Sequence, residues 1–122
     1  MREILEQIAR RMTDAAVRCG RDPQSVRLVA VSKTVPAQRI GEAIDAGVTM
    51  VGENYIQEAR DKFKALIDQR VEWHFIGHLQ SNKAKFVAGN FALVHSVDSR
   101  KLAQALHKKA ESLDVVQDIL IQ

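Results

Sequence analysis

Residues 26–34 read Val-Arg-Leu-Val-Ala-Val-Ser-Lys-Thr, a mostly apolar run that becomes polar over its last three positions. A near-continuous apolar run is typical of a parallel strand that is covered on both faces. We therefore predict a strand over Val26–Val31. Because side chains alternate along a strand, Val29, Val31 and Lys33 are expected to share one face, with Lys33 at its carboxyl end.

The rest of the chain repeats this unit of a strand followed by a helix. Apolar residues at helical spacing predict an N-terminal helix over about 2–19, which Gly20 stops. Strands alternating with helices imply right-handed βαβ units and a parallel sheet, hence an α/β fold. This periodicity alone is compatible with an open sheet and with a barrel. The further strands are predicted at 48–51, 71–76, 93–97 and 118–121, and the further helices behind Pro36, behind Asn54, over Ser81–Ala88 and behind Asp98.

Finer signals predict two helix starts and two buried faces. Asn54 and Gln57 have the spacing of an N-cap residue and its reciprocal partner three residues on. Asp98 is predicted to cap the last helix. The expected buried residues are Ile56, Ala59, Phe63, Leu66 and Ile67 in the helix behind Asn54, and Leu102, Ala105, Leu106, Ala110 and Leu113 in the last helix.

Composition places the chain among ordinary globular proteins. Its 122 residues are 46% hydrophobic and 27% charged, which excludes a disordered tail and a collagen-like repeat. The formal charge of +3 comes from basic residues scattered among acids, so we expect no nucleic-acid partner. Cys19 is the single cysteine, and no segment has the apolar length of a membrane span. We expect a cytoplasmic protein without a membrane partner.

Lys33 is the clearest candidate for a chemically reactive residue. An ammonium at the mouth of an apolar barrel would be desolvated, which favours the neutral amine. A neutral amine attacks an aldehyde, as a Schiff base with pyridoxal phosphate (PLP) requires. The alternative is a lysine that extends to solvent at the end of a strand.

Two other clusters are weaker candidates. His74 and His78 are four residues apart, but the strand pattern around them does not align them as metal ligands, and we predict no metal site. Asn82, Lys83 and Lys85 could bind an anion at the start of a short helix. The alternative, which we favour, is that these three residues form an ordinary solvated helix face.

Three segments resemble signature stretches of the pyridoxal phosphate homeostasis protein family, which is related to the N-terminal domain of alanine racemase. They are Leu28–Thr34 (LVAVSKT), Gly52–Glu58 (GENYIQE) and Trp73–Lys83 (WHFIGHLQSNK). The resemblance implies a TIM-type (β/α)8 barrel preceded by a helix, with PLP held as a Schiff base on Lys33. It also implies a PLP-buffering role without established catalysis, and places Asn54 and His78 near the cofactor.

The family's chains continue for about as long again, whereas this chain stops in strand five. We therefore expect residues 1–122 to form one partial barrel domain, with a helix over 1–20 and β/α repeats over 26–122. In such barrels the phosphate site is usually built by loops after strands seven and eight, so we expect PLP binding to be impaired.

Two other functions remain open alongside a PLP carrier that could serve PLP-dependent apoenzymes. One is a fragment of a fold-type III PLP enzyme, an amino-acid racemase or a decarboxylase, with Lys33 as base. The other is a half barrel that does not bind the cofactor. In each case the open edges of strands one and five could pair with another copy of the chain.

Overall fold

A computed structural model describes every residue of the chain, 1–122. The helices are α1 (Arg2–Arg18), α2 (Ala37–Asp45), α3 (Ile56–Ala65) and α4 (Arg100–Ser112), and short 3-10 segments cover Pro23–Ser25 and Ser81–Phe86. The strands are β1 (Ala30–Val31), β2 (Met50–Glu53), β3 (Glu72–Phe75), β4 (Leu93–Val97) and β5 (Asp118–Ile121). No helix combines the length and the apolar character that crossing a bilayer requires.

The five strands form one parallel sheet in the order β1-β2-β3-β4-β5. Each new strand is added beside the previous one on the same side. A doubly wound sheet would instead reverse direction at a switch point. The uniform progression is that of a (β/α)8 barrel, so the predicted partial barrel is confirmed.

Two apolar clusters form the core between the sheet and its helices. The larger one includes Phe75 and Val94 of the sheet and Leu102 and Leu106 of α4, all at most 2% exposed. The smaller one joins Ile40 of α2 to Val51 of β2. Alternate strand residues therefore face the helices, and the residues between them lie on the opposite, inner face of the sheet.

The predicted first strand is too long. Only Ala30 and Val31 pair with β2, through Val51 and Gly52. In that register Val26–Leu28 lie opposite residues that precede the start of β2 at Met50. Being at the edge of the sheet, this strand has only one neighbour, and its inner face is not covered: Val31 is 55% exposed.

Both predicted caps are wrong by one residue. The N-cap residue of α3 is Tyr55, no side chain caps that helix, and Gln57 binds Asp61 instead. For α4 the N-cap is Ser99, whose Oγ accepts the Leu102 N–H at 3.1 Å. In each case the helix begins one residue later than predicted, and the predicted residue lies outside the cap position.

The helix faces are confirmed except at their ends. Ala59, Leu66, Leu102, Leu106 and Ala110 are buried as predicted. Ile67 and Leu113 are 79% and 46% exposed, because α3 ends at Ala65 and α4 at Ser112. Helical spacing no longer sets the direction of a side chain after the helix has ended. The segment predicted as a helix over 81–88 is a 3-10 helix that ends at Phe86.

Candidate functional site

Lys33 lies two residues after the end of β1 at the carboxyl edge of the sheet, where sites of parallel α/β folds are found. Its side chain is exposed and makes no hydrogen bond or ion pair. The preceding Ser32 is only 4% exposed. The following Thr34 has φ +62°, a left-handed conformation that is strained for a β-branched residue by about 1–3 kcal/mol.

Backbone hydrogen bonds fix Ser32 beside Lys33. The Ser32 N–H donates to the Gly52 carbonyl oxygen at 3.0 Å, and its own carbonyl oxygen accepts the Val35 N–H at 3.1 Å. The second bond closes a tight turn over Lys33 and Thr34. The amine of Lys33 is thus free, while the backbone that carries it is ordered.

A buried ion network lies under this turn. Lys62 of α3 is 5% exposed, and its ammonium donates to Glu53 Oε1 at 2.6 Å and to Glu58 Oε1 at 2.7 Å. It also donates to the carbonyl oxygen of Ser32 at 2.6 Å. An ammonium has three donors, so all of its hydrogen-bonding capacity is used.

Both carboxylates of the network also bind the turn. Glu53 Oε1 accepts the Ser32 hydroxyl at 2.5 Å, and Glu58 Oε1 accepts the Thr34 N–H at 2.5 Å. The hydrogen bond from Lys62 holds the pKa of Glu58 below its usual value of 4.5, and the Thr34 N–H and the charge of Lys62 lower it further. Burial opposes this shift without reversing it.

Asn54 and His78 lie together, as the parallel order of β2 and β3 predicts. Both line a cavity of about 440 Å³ at the carboxyl edge. The Asn54 side-chain oxygen is buried without a hydrogen-bond partner, whereas His78 is exposed. Gly77 brings the two loops together, because a Cβ on it would lie 2.7 Å from Asn54 Cα.

This cavity has basic residues on its wall but does not include Lys33. Arg60 and Lys83 line it, and the Arg60 guanidinium lies 5.4 Å from the centre of the Phe86 ring. Of the residues predicted as an anion cluster, only Lys83 lines this cavity, while Asn82 lines a neighbouring one. The sheet therefore brings Lys33, Asn54 and His78 to one edge, but only Asn54 and His78 share a cavity.

A second polar cluster lies on the inner face of the sheet. His74 Nδ1 is 2.8 Å from His95 Nε2, and His74 Nε2 is 2.8 Å from Glu72 Oε1. Burial lowers the pKa of His95 below 6.5, and the neighbouring His74 adds to that effect. His74 therefore pairs with His95, 21 residues away. The spacing of His74 and His78 along the chain does not indicate this pair.

The sequence does carry signals for the ion network. Glu58 and Lys62 have the i, i+4 spacing of a helical ion pair. Glu53 is a carboxylate in a strand whose residues are all buried, and buried charges need partners. What neither signal reveals is that α3 packs with Lys62 directly over the end of β1.

The chain is similar to several curated proteins along nearly its whole length. It is 42% identical over 120 residues to the pyridoxal phosphate homeostasis protein of Aquifex aeolicus and 46% identical over 121 residues to that of Escherichia coli K12. These alignments cover 98% and 97% of the chain but 53% and 52% of the relatives. The chain thus spans about half the length of the curated relatives it matches. No protein-family model matches it.

Solved structures show the same relationship. PipY of Synechococcus elongatus with PLP bound has a TM-score of 0.76 and 43% identity, over 92% of this chain and 52% of PipY. A protein of unknown function from Bifidobacterium adolescentis has a TM-score of 0.83 and 32% identity, over 98% of this chain and 53% of its own. The resemblance predicted from three short segments is therefore confirmed: the chain is similar in sequence to about half of the pyridoxal phosphate homeostasis proteins and in fold to about half of PipY.

Proposed function

We propose that this chain is the lysine-bearing part of a PLP-binding protein of cofactor homeostasis, with Lys33 as the covalent attachment residue. The observation that carries the proposal is the free amine of Lys33 on an ordered turn at the carboxyl edge of a parallel sheet. When bound, PLP supplies an aldehyde that condenses with a primary amine. The relatives are named for PLP homeostasis, and PipY binds PLP, which supports this assignment.

The residues around Lys33 fit the attachment of an aldehyde. Lys33 is exposed and unpaired, so condensation breaks no ion pair. Lys62, the amine of the ion network, is buried and fully hydrogen-bonded, so it is a poor nucleophile. Asn54 carries a buried, unpartnered oxygen at the same edge and His78 lies beside it, so these two side chains are available to orient the bound group.

We propose a carrier or regulator rather than a catalyst, acting in the cytoplasm and delivering PLP to PLP-dependent apoenzymes. The names of the relatives, which describe homeostasis and not an enzymatic reaction, support this assignment. A racemisation assay with common amino acids tests it. Turnover that depends on Lys33 would favour the alternative of a racemase-type enzyme and contradict the carrier role.

We also propose that residues 1–122 fold as one unit and that its sheet edges promote self-association. β1 and β5 each pair with a single neighbour, and all four residues of β5 are exposed. An unpaired parallel edge is a template for another strand. Analytical ultracentrifugation over a range of concentrations should show a dimer, and a monomer at every concentration would contradict this.

PLP titration followed by visible absorbance tests the central proposal. Addition of PLP should produce the absorption band of a lysine adduct, and Lys33→Ala should remove it. Lys64→Ala is the matched control, because Lys64 is exposed on α3 and lies outside the network. PipY, which binds PLP, is the positive control for the assay. A band retained in Lys33→Ala would overturn the assignment of Lys33.

A further inference from the structure

We propose that Lys62 is a positioning residue for Lys33, holding through Glu53 and Glu58 the turn on which the reactive amine stands. The inference rests on the proposed function in that it takes Lys33 as the attachment residue. Lys62 itself makes no hydrogen bond to Lys33. Its contacts go to the residues immediately before and after Lys33, directly or through one carboxylate.

The network reaches Lys33 from both sides along the chain. On the N-terminal side, Lys62 binds the carbonyl oxygen of Ser32, and Glu53 accepts the Ser32 hydroxyl. On the C-terminal side, Glu58 accepts the N–H of Thr34, which is in the strained left-handed conformation. Lys62 joins both carboxylates, so one ammonium ties the two sides together.

Stability alone is a poor explanation for this arrangement. A buried ion pair is costly to desolvate, and apolar residues of similar volume often replace one without loss of stability. Here Lys62 and Glu53 are 5% and 0% exposed, so the desolvation is nearly complete. The hydrogen bonds that the network's side chains make outside the network all go to Ser32 and Thr34. A positioning role accounts for this concentration of contacts around Lys33.

The consequence is a turn whose conformation depends on α3. Without Glu58 as acceptor, the strained Thr34 loses its own hydrogen bond, and the turn, then closed only by the Val35–Ser32 bond, can relax to a conformation with negative φ. The backbone of Lys33 would then leave its fixed place at the carboxyl edge of the sheet. Misplacement of a reacting group by about 1 Å can lower a rate by about a hundredfold.

The test measures two properties of Lys33: its reactivity towards an acetylating reagent and, in a separate titration, its binding of PLP. The variants are Glu58→Ala, which removes the acceptor of the Thr34 N–H at a partly exposed position, and the double variant Lys62→Met with Glu53→Gln, which leaves no fully buried charge unpaired. Lys64→Met is the matched control on the same helix. Each protein is labelled with an acetylating ester at low conversion, and peptide mass spectrometry gives the ratio of Lys33 to Lys101 labelling. PLP is titrated in parallel.

In the folded variants we expect the labelling ratio and the PLP affinity to change by at least about threefold, with Lys64→Met like the parent chain. Amide exchange at Thr34 should accelerate in Glu58→Ala, because the acceptor of its N–H is removed. Unchanged labelling, PLP affinity and Thr34 exchange in Glu58→Ala would overturn the positioning role, whether or not the double variant folds. If the parent chain takes up no PLP but the labelling ratio of the variants still differs from that of the parent chain, the proposed function fails and the positioning role stands.

Discussion

The ammonium of Lys62 donates a 2.6 Å hydrogen bond to the carbonyl oxygen of Ser32, thirty residues earlier in the chain and one residue before Lys33. This contact links a buried lysine to the turn that carries an exposed one. The two lysines therefore have different roles. Lys62 has no free donor and orders the backbone, while Lys33 has a free amine on that ordered backbone.

Lys62→Met should strongly destabilise the chain. The substitution leaves the Glu53 carboxylate buried without its cation, and breaking a buried pair in this way costs about 3–5 kcal/mol. The double variant with Glu53→Gln should lose much less, because the fully buried carboxylate is replaced by an amide and only the partly exposed Glu58 is left without its cation. Urea denaturation measures both. A single variant within about 0.5 kcal/mol of the parent chain would show that Glu53 is solvated or protonated in the fold.

Glu58 should make stability depend on acidity. Its pKa is lower in the folded chain than the usual 4.5, so the folded state favours the carboxylate. The resulting stabilisation is fully present above about pH 4.5 and is lost as pH falls through the lower folded value. Glu58→Gln should therefore lose less stability than the parent chain on acidification below about pH 4.5. Thermal denaturation across this range tests this, with Glu111→Gln as the exposed control.

His95 should make the stability of the chain depend on pH in a higher range than Glu58 does. Burial and His74 lower its pKa below 6.5, so the unfolded chain takes up this proton more readily than the folded one. Stability should fall as pH decreases below about 6.5. In His95→Asn this fall should be shallower between about pH 7 and pH 5.5, whereas the exposed His107→Asn should match the parent chain. Parallel curves for His95→Asn and the parent chain would contradict the assignment.

Gly77 should tolerate no side chain. A Cβ there would lie 2.7 Å from Asn54 Cα and 2.8 Å from its carbonyl carbon, so backbone must move. We expect Gly77→Ala to lower the free energy of unfolding by about 1–3 kcal/mol and to disturb the loop that carries Asn54. Gly41→Ala is the control. Gly41 lies within α2, and a Cβ there would be at an ordinary 3.7 Å from the Leu66 side chain, so this substitution should stabilise the chain. Urea denaturation distinguishes the two, and equal effects would contradict the close approach at Gly77.

Local patterns in the sequence predicted the elements that are determined by their own residues. The α4 face of Leu102, Leu106 and Ala110, the limits of β4 and β5, and the stop at Gly20 (φ +74°) all follow from spacing or from a single residue's conformational freedom. The location of Lys33 at the end of a strand follows in the same way. Each of these features depends on contacts within about one helix or strand.

Features that depend on packing between elements could not be predicted in this way. The length of β1 is set by where β2 begins, and the pairing of His74 with His95 by the register between β3 and β4. The capping box at Asn54 fails because α3 starts at Ile56. The position of Lys62 over Ser32 requires the crossing of α3 over the sheet, which no local pattern encodes.

Reductive trapping tests the central claim most directly. The chain is mixed with PLP, reduced with borohydride, digested and analysed by peptide mass spectrometry, with Lys33→Ala and Lys64→Ala treated alike. We predict a pyridoxyl group on the peptide that contains Lys33, retained in Lys64→Ala and absent from Lys33→Ala. Labelling spread evenly over the exposed lysines, or undiminished total labelling in Lys33→Ala, would contradict the assignment of Lys33 as the attachment residue.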